Sequence, residues 1–321
     1  MKLSIVTTLY QSAPFIQEFV RRVRAEAEKI THDYEIVMVD DGSPDNSLDT
    51  ALKLGESDPH LRIIELSRNF GHHKAMMTGL ESARGDLVFL IDVDLEEPPE
   101  LLSAFLHEME NGRWDVVYGV QKERKGGFIK KVGGRIGWWL IQMLVPVDMP
   151  FNLSTVRLMR RDYVRQLIRH KEQMTAIGGL WVLTGFRQQG LLFDKASRGE
   201  SSYTFGKRLR SLLDSVTSFS PVPLYGVFFL GLAICFISFL VTAGLIMRRL
   251  TGYVLDGWVS VMVSVWSLGG LILLCIGLVG LYISRIFIET KNRPYVIVRN
   301  EYRPDNQNQE NDKRIFNADR I

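Results

Sequence analysis

Two stretches limit what this chain can become. Pro223 to Met247 ("PLYGVFFLGLAICFISFLVTAGLIM") and Trp258 to Ile283 ("WVSVMVSVWSLGGLILLCIGLVGLYI") contain no Asp, Glu, Lys or Arg. Roughly 20 apolar residues span the hydrocarbon core of a bilayer as a helix, and each stretch reaches that length. Trp and Tyr stand at several of the ends, where membrane interfaces favour them. The whole-chain averages of 46% hydrophobic and 23% charged residues with net charge +3 conceal this segregation, because the charges crowd the first two thirds and the last tail. A soluble domain (1–204), a juxtamembrane helix (205–220), two transmembrane helices (221–287) and a tail (288–321) are expected.

Two crossings would return the tail to the side of the N-terminal domain. Lys207, Arg208, Arg210, Arg285, Lys291 and Arg293 flank the crossings on that side and mark it as cytoplasmic, outnumbering Arg248 and Arg249 in the connecting loop. The expected location is the cytoplasmic (inner) membrane, multi-pass, with the N-terminal domain in the cytoplasm. "MKLSIVTTLY" reads as a strand rather than a secretion signal. Cys235 and Cys275, the only cysteines, lie inside the crossings, which leaves no disulfide framework or thiolate metal site.

The soluble part alternates strands with helices. Leu3–Tyr10, Tyr34–Ser43, Leu61–Ser67, Asp86–Asp94 and Asp115–Val120 are short β-rich runs, and Phe15–Ile30 and Lys74–Ala83 are helical patterns between them. That order predicts an α/β fold with a mostly parallel sheet covered on both faces. Ligands of such sheets sit beyond the carboxyl ends of the strands. Asp40 and Asp41, then Arg68 and Asn69, then Asp92 and Asp94 fall at three such ends.

"FLIDVDLEEPPE" (Phe89–Glu100) delivers Asp92, Asp94, Glu96 and Glu97 to one place. Carboxylates this close repel one another, so they need a cation, a positive partner or open solvent. Two aspartates separated by one residue at a strand end face the same opening, and with Glu96 they offer hard oxygen ligands for Mg²⁺ or Mn²⁺. Such a cation would neutralise a diphosphate leaving group. Pro98 and Pro99 are expected to stop the strand and launch a helix.

"FIKKVGGRIGWWLIQMLVP" (about 128–146) and "FGKRLRSLLDSVTSFS" (205–220) set basic residues beside tryptophans or directly before a crossing, the pattern of helices lying in a membrane interface. Beyond Arg299 the chain is rich in Asn, Gln, Asp and Arg with little to bury, so disorder is expected there. His72 and His73 read as surface residues without a third metal partner, and Asp45 and Asn46 as caps of the following helix.

In combination, "VDDGSPDNS", "LSRNFGHHKAMMTGL", "DVDLEEPPEL", "VRLMRRD" and "RGESSYTFGKRL", in this order and followed by two crossings, resemble the polyprenyl-phosphate glycosyltransferases of glycosyltransferase family 2. That group includes the dolichol-phosphate mannose synthases and the bactoprenol glucosyltransferases, and the resemblance runs from Leu3 to about Pro294. It implies a GT-A fold and inverting, metal-dependent transfer of a sugar from a nucleotide sugar, with UDP favoured, to a polyprenyl phosphate such as undecaprenyl phosphate. The product would serve cell-surface polysaccharide or lipopolysaccharide (O-antigen) modification. Position by position, Asp41, Thr8 and Tyr10 resemble the nucleotide-lining residues, joined by Arg68. Asp92, Asp94 and Glu96 correspond to the metal and diphosphate cluster, with Mg²⁺ or Mn²⁺ as cofactor and Asp94 central to catalysis. Arg124 falls where the family places an arginine near the acceptor phosphate, and Arg157 falls on the arginine of its "FRLM"-like stretch; both are candidate catalytic residues. Arg198, Ser201, Ser202 and Tyr203 fall on the loop that closes over the diphosphate. Lys130, Lys131 and Arg135 add positive charge for the acceptor phosphate near the interface. A membrane and, as in relatives, a homo-oligomer are implied partners; no nucleic acid is.

The departures from the family pattern are informative. Glu96 stands where better-known members carry Gln, Ser202 where many carry Lys, and Gln11 and Ser12 replace Asn-Glu. Thr155 stands where bactoprenol glucosyltransferases often carry Asp. An alcohol acceptor would miss such a base. A phosphate monoester, with a second pKa near 6, is already largely an anion at neutral pH. A lipid-linked sugar hydroxyl as acceptor and a non-catalytic membrane scaffold are the competing readings.

Overall fold

The computed structural model describes residues 1–122, 152–173, 177–195, 222–250 and 257–303. The two expected amphipathic helices, about 128–146 and 205–220, lie outside these residues. The described chain divides into two units: the sheet with its helices and the segment from Pro294 on, and a pair of long helices.

The sheet unit begins as the sequence pattern predicts. Strands β1 (Leu3–Leu9), β2 (Tyr34–Asp40), β3 (Leu61–Leu66) and β4 (Leu87–Leu90) pair in parallel in the order β4-β1-β2-β3. All seven residues of β1 are buried, because a strand inside a parallel sheet meets helices on both faces and cannot alternate apolar with polar. The sheet grows outward through β5 (Val116–Gln121), β6 (Leu153–Arg160) and β7 (Gln188–Phe193), where β6 runs antiparallel to both β4 and β5.

Helices α1 (Ile16–Glu28), α2 (Ser47–Gly55) and α4 (Leu101–Gly112) pack together with the sheet, while α3 (His72–Ser82) lies against β1 and β2. Phe19, Val20 and Val23 of α1 and Phe105 and Met109 of α4 join Leu3, Ile5, Ile36, Met38 and Phe89 in one core. The Phe89 and Phe105 rings meet edge to face at 6.3 Å, and each fully buried phenylalanine contributes roughly 1.5–3 kcal/mol. Gly79 brings α3 close to the sheet: a Cβ there would come within 2.5 Å of Val6 Cγ1. Two short helices, α5 (Arg161–Leu167) and α6 (Ile177–Leu183), complete the covering around β6 and β7.

One expectation is corrected. The chain beyond Arg299, read as having little to bury, enters the sheet: β8 (Val298–Tyr302) pairs antiparallel with β3, matching Ile63 with Tyr302 and Glu65 with Asn300. Polar side chains, invisible to a hydrophobic pattern, fasten it. Glu65 accepts from Arg299 Nη1 at 3.0 Å, Asn300 Nδ2 at 2.8 Å and Tyr302 Oη at 3.0 Å, and Arg62 pairs with Glu301.

The second unit consists of α7 (Val222–Leu250) and α8 (Trp258–Thr290). Both expected apolar stretches are helical. Among the described residues one run, Leu268–Thr290, is long and apolar enough to cross a membrane, and Val222–Ile234 is a shorter apolar run. Much of the side-chain detail of α7 beyond Ile234 lies outside the described residues.

Candidate active site

The carboxyl ends of β1, β2 and β4 meet at one edge. Asp40 and Asp41 close β2 and are both buried. Asp41 accepts from the backbone N–H of Phe70 at 2.7 Å and of Gly71 at 3.0 Å, tying its loop to the start of α3. Burial raises its pKa more than these hydrogen bonds lower it. Gly42 makes the contact between the loops feasible: its φ is +64°, and a Cβ would lie 2.6 Å from Arg68 C and Asn69 N. Arg68 is exposed, its guanidinium 4.2 Å from the Phe70 ring centre.

Strand β4 ends at Leu90, so Asp92 and Asp94 stand on a turn rather than on the strand itself. Asp94 Oδ1 accepts from the Glu96 N–H at 3.0 Å, and Leu95 takes a left-handed φ of 60°. Burial still alternates along the turn: Ile91, Val93, Leu95 and Glu97 are buried while Asp92, Asp94 and Glu96 are half-buried. Three acids therefore keep a side towards solvent and the fourth, Glu97, lies in the core. Burial raises the pKa of Asp94, and the charges of Asp92 and Glu96 raise it further. Pro98 and Pro99 do lead into α4, with the Leu101 N–H donating to Pro98 O at 3.1 Å.

Glu97 is fully buried, hydrogen-bonded by Ser154 Oγ, and its Oε2 has no partner. Burial first, then the neighbouring Asp92, pushes its carboxyl up to about 7. Arg157, expected among the catalytic groups, is also fully buried: Nε donates to Thr155 O at 3.2 Å, Nη2 to Ser154 O at 3.3 Å, and the guanidinium lies 3.0 Å from the Trp181 ring centre. Its place is behind the opening. The sequence motif gave its position along β6 but not the direction of its side chain.

Thr8 and Tyr10 sit at the end of β1, Thr8 buried and Tyr10 exposed. Thr8 Oγ1 is 3.0 Å from His72 Nδ1, and His72 Nε2 is 3.3 Å from Asp92 Oδ1. His72 is exposed, as expected, and also bridges the end of β1 to the acid turn. Burial alone would lower its pKa, but the hydrogen bond and charge of Asp92, with Asp41 and Asp94, outweigh it, and the net shift is upward. The sequence signal that could have found it is Gly71, whose φ of 102° starts α3 at this edge. Asp45, expected as a helix cap, accepts from Ser47 N–H at 3.3 Å and Ser47 Oγ at 2.6 Å; Asn46 makes no capping side-chain bond.

Lys195 is the second residue that sequence reading missed. Its Nζ lies 3.1 Å from Glu96 Oε2 and 3.9 Å from Glu97 Oε1. Nothing local announces it, because the contact joins the end of β7 to the turn after β4. Arg124, Lys130, Lys131, Arg135, Arg198, Ser201, Ser202 and Tyr203 lie outside the described residues.

Among the described residues no three His, Cys, Asp or Glu side chains are disposed to hold a metal ion by themselves. The half-buried carboxylates nevertheless suit Mg²⁺ or Mn²⁺ in the mode in which a carboxylate or two share the ion with substrate phosphates. A divalent cation would relieve the repulsion between carboxylates gathered on one turn.

Acids gathered at the carboxyl edge of a parallel sheet fit a glycosyltransferase, and the chain belongs to glycosyl transferase family 2, whose model matches residues 4–168. More particularly, it is 32% identical to the bactoprenol glucosyl transferase of Shigella phage SfV, over 94% of this chain and 99% of that one. It is 51% identical to a Mycobacterium tuberculosis protein described as a glycosyltransferase, over 95% of this chain and 90% of that one. The Bacillus subtilis glycosyltransferase YkcC is 32% identical over 96% of both chains. The expected resemblance to the polyprenyl-phosphate members of the family is borne out by these matches.

Proposed function

We propose that this chain transfers a sugar from a nucleotide sugar, a UDP-sugar in the first instance, to a polyprenyl phosphate such as undecaprenyl phosphate at the cytoplasmic face of a membrane. The observation that carries this reading is the turn Asp92–Glu97, which sends three of its four acids to the opening beside Asp41 and Thr8. The near full-length match to a bactoprenol glucosyl transferase supports the lipid acceptor.

In this reading Asp41 shapes the base-binding loop through the Phe70 and Gly71 amides, and His72 holds Asp92 in place from Thr8. One or two of Asp92, Asp94 and Glu96 would hold Mg²⁺ or Mn²⁺ together with the donor's phosphates. When bound, the ion offsets the charge that builds on the departing nucleoside diphosphate. The acceptor phosphate attacks as an anion, so Thr155 in place of an acid costs the reaction no base. Arg124, Lys130, Lys131 and Arg135 supply its positive partners, and Arg198, Ser201, Ser202 and Tyr203 close over the donor.

Two crossings, rather than one, fit the return of β8 to β3. A chain that leaves the sheet's side of a membrane through one helix regains it only through another, and α7 and α8 are 29 and 33 residues long. At about 1.5 Å per residue either length exceeds a hydrocarbon core of ~30 Å.

The test is transfer itself. Purified full-length protein with Mn²⁺, a panel of labelled nucleotide sugars and undecaprenyl phosphate is expected to move label from one of them into an organic-soluble lipid and release the nucleoside diphosphate in equal amount. Label appearing only when a preformed lipid-linked sugar is supplied would replace the phosphate acceptor by a hydroxyl. No release with any donor and either acceptor would end the enzyme reading.

A further inference from the structure

We propose that Lys195 is a built-in counter-cation of the acid turn, held by Glu96 until a divalent cation and a nucleoside diphosphate arrive together, and then released to the diphosphate. The inference rests on the donor-site reading above and deepens it.

The geometry is specific. Lys195 extends from just past β7 to the turn, where Glu96 and Glu97 are its only ion-pair partners among the described residues. Glu96 is half-buried and Glu97 buried, and the one ammonium reaches both. Side-chain exposures of 26% for Lys195 and 29% for Glu96 keep the pair from being a freely hydrated surface bridge.

The consequence is electrostatic competition. A fixed positive charge beside Glu96 offsets part of the field that would draw in a free divalent cation. A diphosphate reverses the balance: it offers the ammonium a stronger anionic partner and gives the metal further oxygen ligands. Metal and nucleotide then bind with positive coupling, which lysine creates and which by linkage acts equally on both ligands. Glu96 has a reason to be acidic here, since the Gln expected at this position from the family could not form the ion pair.

Mn²⁺ binding to the detergent-purified full chain, followed by electron paramagnetic resonance with and without UDP, tests this. Lys195→Met is expected to bind Mn²⁺ alone about fivefold more tightly than wild type and to lose most of the gain that UDP confers, while Lys195→Arg keeps both wild-type values. A misfolded variant cannot mimic tighter binding. Equal or weaker Mn²⁺ affinity in Lys195→Met, or an undiminished UDP effect, overturns the counter-cation role while leaving the metal-dependent donor site standing. Failure of every form to bind Mn²⁺ even with UDP overturns both.

Discussion

Two carboxylate environments, one on β3 and one just after β4 with β1 and β2 between them in the sheet, have opposite designs. Glu65 on β3 is buried, and three donors from the returning strand, Arg299, Asn300 and Tyr302, occupy its oxygens. The acids of the turn after β4 stand side by side and half-buried instead: His72 reaches Asp92, Lys195 reaches Glu96, and burial with neighbouring negative charge raises the pKa of Asp94. A buried acid saturated by donors of one strand is structural; half-buried acids gathered on one turn are suited to a ligand.

That contrast can be broken at either end. The largest effect is expected at the turn: Asp94→Ala should lower sugar transfer by about 100-fold or more, the scale of removing a group that stabilises developing charge, while the thermal midpoint stays level or rises as repulsion falls. Loss of folding together with activity would show that the turn acids are structural after all. Glu65→Ala should do the reverse, costing about 1–3 kcal/mol in denaturant unfolding as its three donors lose their acceptor, with turnover per folded molecule unchanged.

Smaller effects sharpen the division. His72→Ala should weaken nucleotide affinity about fivefold, in line with about 1 kcal/mol for one hydrogen-bonded contact, without moving the midpoint. A calorimetric titration with UDP and Mn²⁺ reads it directly. Glu301 gives the mildest test. Burial works against its ionisation, but the hydrogen bond from Arg303 and the charge and hydrogen bond of Arg62 outweigh that, so its folded pKa lies below the ordinary value of 4.5. A depressed acid adds stability that is fully present above the unfolded pKa and is lost as pH falls through the folded one. The midpoint of Glu301→Gln should therefore fall less steeply than wild type as pH drops below about 4.5, and equal slopes would remove Glu301 from the fastening of β8.

Much of this was legible residue by residue. β-rich runs such as "LSIVTTL" marked the buried strands, and the end of "IVMVDD" placed Asp40 and Asp41 at the carboxyl edge of the sheet. The four acids were legible as a cluster, but not their division, because which side of a turn faces the core depends on the left-handed Leu95 and on what packs beneath. Arg157 was legible as a motif position and not as a core cation, since Trp181 approaches it from a segment that no local spacing connects to it. The edge strand β8 was misread because its fastening is polar, and hydrophobic periodicity carries no record of Glu65 awaiting Arg299, Asn300 and Tyr302.

The sequence by itself determined the segregation into a charged α/β domain and apolar helices, the parallel core order of strands, and the presence of a carboxylate group suited to a metal and a diphosphate. These follow from composition and short-range periodicity, which a chain carries locally. Only the tertiary structure decided that His72 reaches Asp92 and Lys195 reaches Glu96, that Glu97 and Arg157 are fully buried, and that the chain returns after α8 to close the sheet. Each of those depends on side chains far apart in sequence meeting in space. Charge and hydrogen-bond complementarity select such meetings, and they exist only once the fold has formed.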